Sequence, residues 1–249
     1  MPKAAAAPEP IGSSIRDRAR PPSAAELDGI PWLASLTAVE RKRAESAIVV
    51  GEAEVGDLVC RIGRPPTFWF GVIEGLLKMS NVDAEGGSVT YSGLPAGGWF
   101  GEGTAMKHEP YRYNISALRR SVVAGLRIET FHWLLDHSIG FNRFVMNQLN
   151  ERLGQFIAAL EIDRLNDPDA RVARNLAALF NPVLFPTVGE VLRITQQELA
   201  YLVGLSRQRV NEALSALQAK GVIRIEYGGL RVLDLGRLRA IGIDGPKAS

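Results

Sequence analysis

The sharpest alternation of apolar and polar positions lies in residues 194–217, ITQQELAYLVGLSRQRVNEALSAL. Leu199, Ala200 and Leu202 line one face of a short helix, and Val210, Ala213, Leu214 and Leu217 line one face of a second. Thr195 followed three residues later by Glu198 forms a capping box for the first helix, and Ser206 caps the second. Gly204 stands between them, where the chain must enter a left-handed turn that glycine adopts without a Cβ penalty. A small residue (Ala200), a glycine four residues on (Gly204) and an aliphatic six after that (Val210) give the spacing of a helix-turn-helix.

Elsewhere the pattern changes character twice. Residues 26–47 read as helical, with Ile30, Trp32, Leu33 and Leu36 as an apolar patch and Thr37 with Glu40 as a second capping box. From Ile48 onward, short β-branched and aromatic runs alternate with glycine and turn residues every eight to twelve positions. That texture predicts a compact β-barrel or sandwich ending in a short helix over 130–136. Phe141, Val145, Leu149, Phe156 and Leu160 then recur at helical spacing along a stretch from 141 to 165, with Leu153 and Ile157 beside them. Such a stripe needs a partner surface, and its predicted partner is the same helix of a second chain. Asn166, Asp167 and Pro168 break this helix and begin another over 168–180. After the helix-turn-helix, residues 222–233 read as a hairpin, the wing of a winged helix.

The fold class expected is therefore α+β: an N-terminal β-roll sensor, a long dimerisation helix and a C-terminal winged helix-turn-helix. The boundaries are a disordered tail over 1–25, the β-roll over 26–137, the dimerisation helix and hinge over 138–166, and the winged domain over 167–245. The tail is rich in Ala, Pro and Arg without an apolar signal core, and no apolar run is long enough to span a membrane, so the expected location is the cytoplasm.

Charge adds to this picture only locally. Net charge is +2, but residues 167–249 hold 11 Lys and Arg against 8 Asp and Glu, an excess that suits a polyanionic partner. Arg207, Gln208, Arg209, Asn211 and Glu212 crowd the start of the second helix. Arginine can bond both acceptors of a guanine edge, and Gln or Asn can do the same for adenine. With Thr195, Gln196 and Ser206, these residues make up the expected DNA face. Arg16, Arg18 and Arg20 in the tail are further candidates for phosphate contact.

Enzymatic and metal chemistry find little support. There is no Walker loop, nucleophile elbow or paired catalytic carboxylate, so no catalytic residue is assigned. The single cysteine, Cys60, lies in an apolar run and reads as a buried small hydrophobe. His108, His132 and His137 lack metal-ligand spacing, so no metal site is assigned; a haem would need one of them or Cys60 as its axial ligand.

This order of parts resembles the Crp/Fnr family of bacterial transcription regulators, from about residue 30 to about 240. A second motif carries the resemblance: Gly98-Trp99-Phe100-Gly101-Glu102-Gly103, with Arg112 ten residues after the glutamate. In cyclic-nucleotide-binding members this cassette holds the ligand. The resemblance implies that the turn at Gly101 offers backbone N–H groups to a cyclic phosphate, that Arg112 pairs with its charge, and that Glu102 accepts from the ribose hydroxyl. Tyr113 stands where cAMP-binding members carry a small hydroxyl residue, and Phe156 and Ile157 stand where they carry a Thr–Ser pair facing adenine. The implied effector is thus a cyclic nucleotide or a cyclic dinucleotide. The resemblance also places Arg207 at a guanine-reading position and Ser206 at a phosphate contact, with Glu212 replacing an arginine. It implies a homodimer on a pseudo-palindromic duplex, with RNA polymerase as a further partner. The rival readings are a ligand-independent DNA-bending protein and a haem-type sensor.

Overall fold

Sheet alternation explains why the first half of the chain folds as it does. In the computed structural model, which describes residues 19–82, 88–163 and 167–241, β3 (Phe68–Glu74) and β8 (Ser121–Arg127) pair antiparallel at the centre of a sheet ordered β1-β8-β3-β6. Here β1 is Ile48–Ala53 and β6 is Trp99–Phe100. Trp69, Ala124 and Leu126 point to one face of this sheet; Phe70, Val72 and Val123 point to the other. Both faces are therefore buried, as the near-continuous apolar runs require.

The second sheet is ordered β2-β7-β4-β5, from Leu58–Cys60, Asn114–Ala117, Leu76–Val82 and Ser88–Pro95. It closes over the first to form the roll, whose interior holds Val59, Cys60, Leu77, Met79, Leu94, Phe100 and Ile115. Leu184 and Phe185, from far along the chain, are seated in the same interior.

Helices cover the outer face of the first sheet: α1 (Ala24–Asp28), a 3-10 turn (Pro31–Ser35), α2 (Ala38–Ala47) and α4 (Ile128–His137). Between β6 and β7 lies the short α3 (Glu102–Lys107). The covered core is aromatic. Trp69 meets Trp99 at 4.4 Å between ring centroids, and Trp32 meets Phe141 at 5.4 Å.

Two expectations change here. Order reaches into the region assigned to the tail: Arg20 exchanges two backbone hydrogen bonds with Val50, and Ser23 caps α1. The Arg20 guanidinium is held by Glu26, so it is not a free phosphate contact; Arg16 and Arg18 lie outside the described residues. The second change concerns the long helix, α5 (Ile139–Asp163). Phe141 and Val145 are buried in the β-roll's own core, which leaves them no surface for a second chain, and Leu149 is half-buried against the same core. One helix face cannot serve both its own barrel and another chain, and here the barrel takes it. The large apolar side chains left exposed among the helix's described residues are Ile139, Met146, Leu153, Phe156, Ile157 and Leu160.

The winged domain follows: α6 (Pro168–Ala178), β9 (Val191–Leu192), α7 (Gln196–Val203), α8 (Arg207–Ala219), the wing strands β10 (Ile223–Glu226) and β11 (Gly229–Val232), and α9 (Leu235–Ala240). Asp167 caps α6 and Pro168 occupies its first turn; Asn166, the other hinge residue expected, lies outside the described residues. None of the described helices is long and apolar enough to cross a membrane.

Candidate functional site

The helix-turn-helix is built by its caps. Thr195 Oγ1 accepts from the Glu198 N–H at 3.1 Å, and the Glu198 carboxylate accepts from the Thr195 N–H at 2.7 Å. Gly204 turns the chain at φ 65°, and its N–H donates to the Ala200 carbonyl at 3.0 Å. Ser206 Oγ then accepts from the Arg209 N–H at 3.2 Å, opening α8. With Val210, Ala213, Leu214 and Leu217 buried, the start of α8 must turn Ser206, Arg207, Gln208, Asn211 and Glu212 to the solvent.

These residues are not equally free. Arg209 is half-buried and bound to Asp169 of α6 at 2.5 Å, with Glu212 at 3.5 Å on its other nitrogen. It braces α8 against α6. Gln208 donates to Glu212 at 3.3 Å, and Gln196 donates to Asn211 at 2.7 Å, tying the first helix to the second. Arg207 is exposed and has no hydrogen-bond or ion-pair partner among the described residues. It also stands in the first turn of its helix, where the macrodipole already favours an anion. Sequence reasoning did not single out Tyr227, fully exposed at the tip of the wing between β10 and β11, or Arg224, exposed on β10. The only signal for them was the turn Tyr227-Gly228-Gly229.

The cassette in the β-roll is arranged differently from the expectation. Gly101 adopts φ 83° at the start of α3, as a turn bringing backbone close to a ligand requires. Glu102 is buried and already paired within the chain. Its Oε1 accepts from Arg152 Nε of α5 at 2.8 Å, and Arg152 Nη2 donates to the Trp99 carbonyl at 2.7 Å. Glu102 Oε2, Arg152 Nη1 and Gln148 Oε1 are buried with no hydrogen-bond partner among the described residues.

Arg112 points outward. Its side chain is 79% exposed and its guanidinium donates to Glu109 at 2.9 Å, beside an open depression lined by Ile62, Gly63, Pro110 and Tyr111. Tyr111 is buried against Cys60 and Tyr113 is half-buried near Glu102, and the chain bends at Arg112 and Tyr113, leaving the Arg112 side chain in solvent. Burial, with the Glu102 charge next in size, pushes the Tyr113 phenol up to about 12, so its hydroxyl stays a donor at neutral pH.

The structure thus brings Gly101, Glu102 and Tyr113 together and adds Arg152, which sequence reasoning missed. A signal for it existed. The inward positions of α5 run 141, 145, 148, 152, and the last two are Gln148 and Arg152, polar residues at core spacing.

The remaining heteroatom candidates are accounted for by their surroundings. Burial pushes the Cys60 thiol up to about 12, which keeps it protonated. His132 bonds the Ala105 carbonyl at 2.9 Å and stacks on His108 at 3.9 Å between centroids, while His137 bonds the Trp133 carbonyl at 2.8 Å. Among the described residues, no group of three or more His, Cys, Asp or Glu could hold a metal ion.

Comparison with known proteins agrees with both halves of this arrangement. Residues 50–138 match the family model of the cyclic nucleotide-binding domain, and residues 170–241 match that of the Crp-like helix-turn-helix domain. The chain is 28% identical to the transcriptional regulator SdrP of Thermus thermophilus over 198 residues, covering 76% of this chain and 91% of that protein. A solved Crp/Fnr-family transcriptional regulator from Thermus thermophilus is 26% identical, with a TM-score of 0.50, covering 77% of this chain and 97% of the other. The c-di-GMP-responsive global regulator CLP of Xanthomonas campestris shares the fold, with a TM-score of 0.55 at 22% identity, covering 79% of this chain and 99% of the other. With a cyclic nucleotide-binding β-roll at one end and a helix-turn-helix at the other, the chain belongs to the Crp/Fnr family of transcription regulators, which are DNA-binding proteins and not enzymes.

Proposed function

We propose that two copies of this regulator pair through α5 and read a pseudo-palindromic duplex with the two α8 helices, under control of a small ligand in the β-roll. The observation that carries the reading is Arg207: exposed, free of partners among the described residues, and set at a positive helix end beside Ser206 and Gln208. A forked guanidinium so placed suits the O6 and N7 acceptors of a guanine. Thr195, Gln196, Ser206 and Asn211 border it and suit phosphate or base contact, Glu212 suits a cytosine amino group, and Arg209 holds the helix in place.

Support for pairing comes from the free part of α5. Met146, Leu153 and Leu160 are 60%, 59% and 66% exposed and recur every seven residues, with Phe156 and Ile157 between the last two. Two heptads make an apolar seam about 21 Å long. A two-fold pair would set the recognition helices about 34 Å apart, one turn of DNA.

For the ligand, the proposal is a cyclic nucleotide or cyclic dinucleotide bound near Gly101, Glu102, Arg152 and Tyr113. Support comes from the matched domain and from the unpaired buried atoms of Glu102 and Arg152. A fold neighbour that responds to c-di-GMP makes that dinucleotide one probe to use. Phe156 and Ile157 offer no side-chain acceptor to a purine amino group, which argues against cAMP in the usual pose. A ligand-independent regulator is the second reading; it is favoured by Arg152 already neutralising Glu102 and by Arg112 facing Glu109.

The test is fluorescence anisotropy on a duplex library at fixed salt, with and without cAMP, cGMP and c-di-GMP. The proposal expects tight binding to a two-fold-related subset, strengthened by one of the three ligands. Equal binding to all sequences would overturn it, and selective binding indifferent to every ligand would leave the second reading.

A further inference from the structure

The β-roll and the winged domain are joined by more than the chain running through α5. The turn between β7 and β8, residues 118–120, lies against the first helix of the helix-turn-helix. Arg119 Nε donates to Glu198 Oε1 at 2.8 Å, its Nη2 donates to Glu198 Oε2 at 2.8 Å, and Nη2 also reaches the Arg193 carbonyl at 2.8 Å. The two side chains are only 31% and 11% exposed. A two-pronged pair of this kind fixes distance and rotation together, which a single-point contact does not.

Glu198 is also the carboxylate that closes the capping box on Thr195. The joint therefore grips the winged domain at the start of α7. From there Gln196 bonds Asn211 of the reading helix at 2.7 Å. Apolar packing surrounds the pair: Leu76 is buried with the winged-domain core, and Leu118 packs against it. Thr90 Oγ1 donates to the Tyr201 carbonyl at 3.0 Å. At Gly93 the two parts approach so closely that a Cβ would fall 2.8 Å from Leu202 and 2.9 Å from Leu179. This seam leaves the reading face open, since Arg207, Gln208 and Asn211 all remain exposed. Its effect is on orientation and not on access.

We infer that Arg119 is a positioning residue that fixes the angle of α8 relative to the sensor, and so sets the half-site spacing this regulator accepts. The inference rests on the proposed reading of a two-half-site duplex. In such a complex, spacing is a geometric consequence of how rigidly each reading helix is held. β7 supplies the line of transmission: its four residues, Asn114–Ala117, run from beside Tyr113 at the cassette to within two positions of Arg119, a strut about 13 Å long.

The test uses the full chain, its selected duplex, versions of that duplex with one or two base pairs added or removed between half-sites, and a single half-site. Wild-type protein is expected to lose at least about tenfold in affinity off the preferred spacing, while Arg119→Gln flattens the profile to within about threefold and leaves half-site binding unchanged. Gly93→Leu opens the same seam without touching any charge and should flatten the profile as well. An Arg119→Gln profile as sharp as the wild type's overturns the inference. So does an equal loss on every duplex including the half-site, which marks Arg119 as no more than a support of the winged fold. Wild-type protein without preference for any duplex is a separate result, and it removes the DNA reading itself.

Discussion

The helix-turn-helix and the glycine-rich cassette of the β-roll are both short motifs, yet only one of them has its shaping caps within its own segment. The caps that shape the helix-turn-helix turn all come from residues 194–217: the Thr195–Glu198 box, the left-handed Gly204 and the Ser206 cap. The cassette instead takes its counter-charge from Arg152, 50 positions away from Glu102. A motif closed by backbone caps is decided by local chemistry. A motif closed by a buried ion pair depends on which helix happens to lie across it.

The contrast can be broken most sharply at Arg152. Arg152→Met leaves a buried carboxylate without its counter-charge and should cost about 3–5 kcal/mol of folding stability, measured by urea unfolding. Replacing the pair together, Glu102→Gln with Arg152→Met, should recover much of that loss. A single variant as stable as wild type would mean that Glu102 is not held by Arg152.

At the other site, Arg207→Ala should leave unfolding unchanged and cost about 1–3 kcal/mol in affinity for the selected duplex, with relaxed preference at one base pair. A loss shared equally by every sequence would place Arg207 on the phosphate backbone. The smallest effect sharpens the comparison within the cassette. Arg112→Ala, removing an exposed side chain whose one ion-pair partner among the described residues is Glu109, should alter stability by no more than about 0.5 kcal/mol in the same urea experiment. A larger loss would show that Arg112 supports the roll.

Most of the fold was legible because its elements announce themselves: short apolar runs between regularly spaced turn residues for the β-roll strands, and a period of three and four for α7, α8 and α5. Two things were not. The stripe on α5 has one period but two destinations, and nothing in Phe141 or Leu160 says that the first meets Trp32 and Trp69 while the second stays bare. The side on which Arg112 emerges depends on Tyr111 and Tyr113 competing for the interior, a question of burial and not of spacing. The exposed side of α8 was easier to read, because it follows directly from which side of that helix is apolar. Even so, the bond from Arg209 to Asp169, 40 residues earlier, could come only from the tertiary arrangement.

Leu184 and Phe185 lie beyond α6 in the chain yet fill the inside of the β-roll. Cutting the chain after α5 would therefore excise part of the β-roll's filling along with the winged domain. Chimeras that graft this β-roll onto a foreign winged domain should carry residues 181–188 with the β-roll, even though they follow the first helix of the winged domain in sequence. The functional border and the packing border of this regulator are different lines.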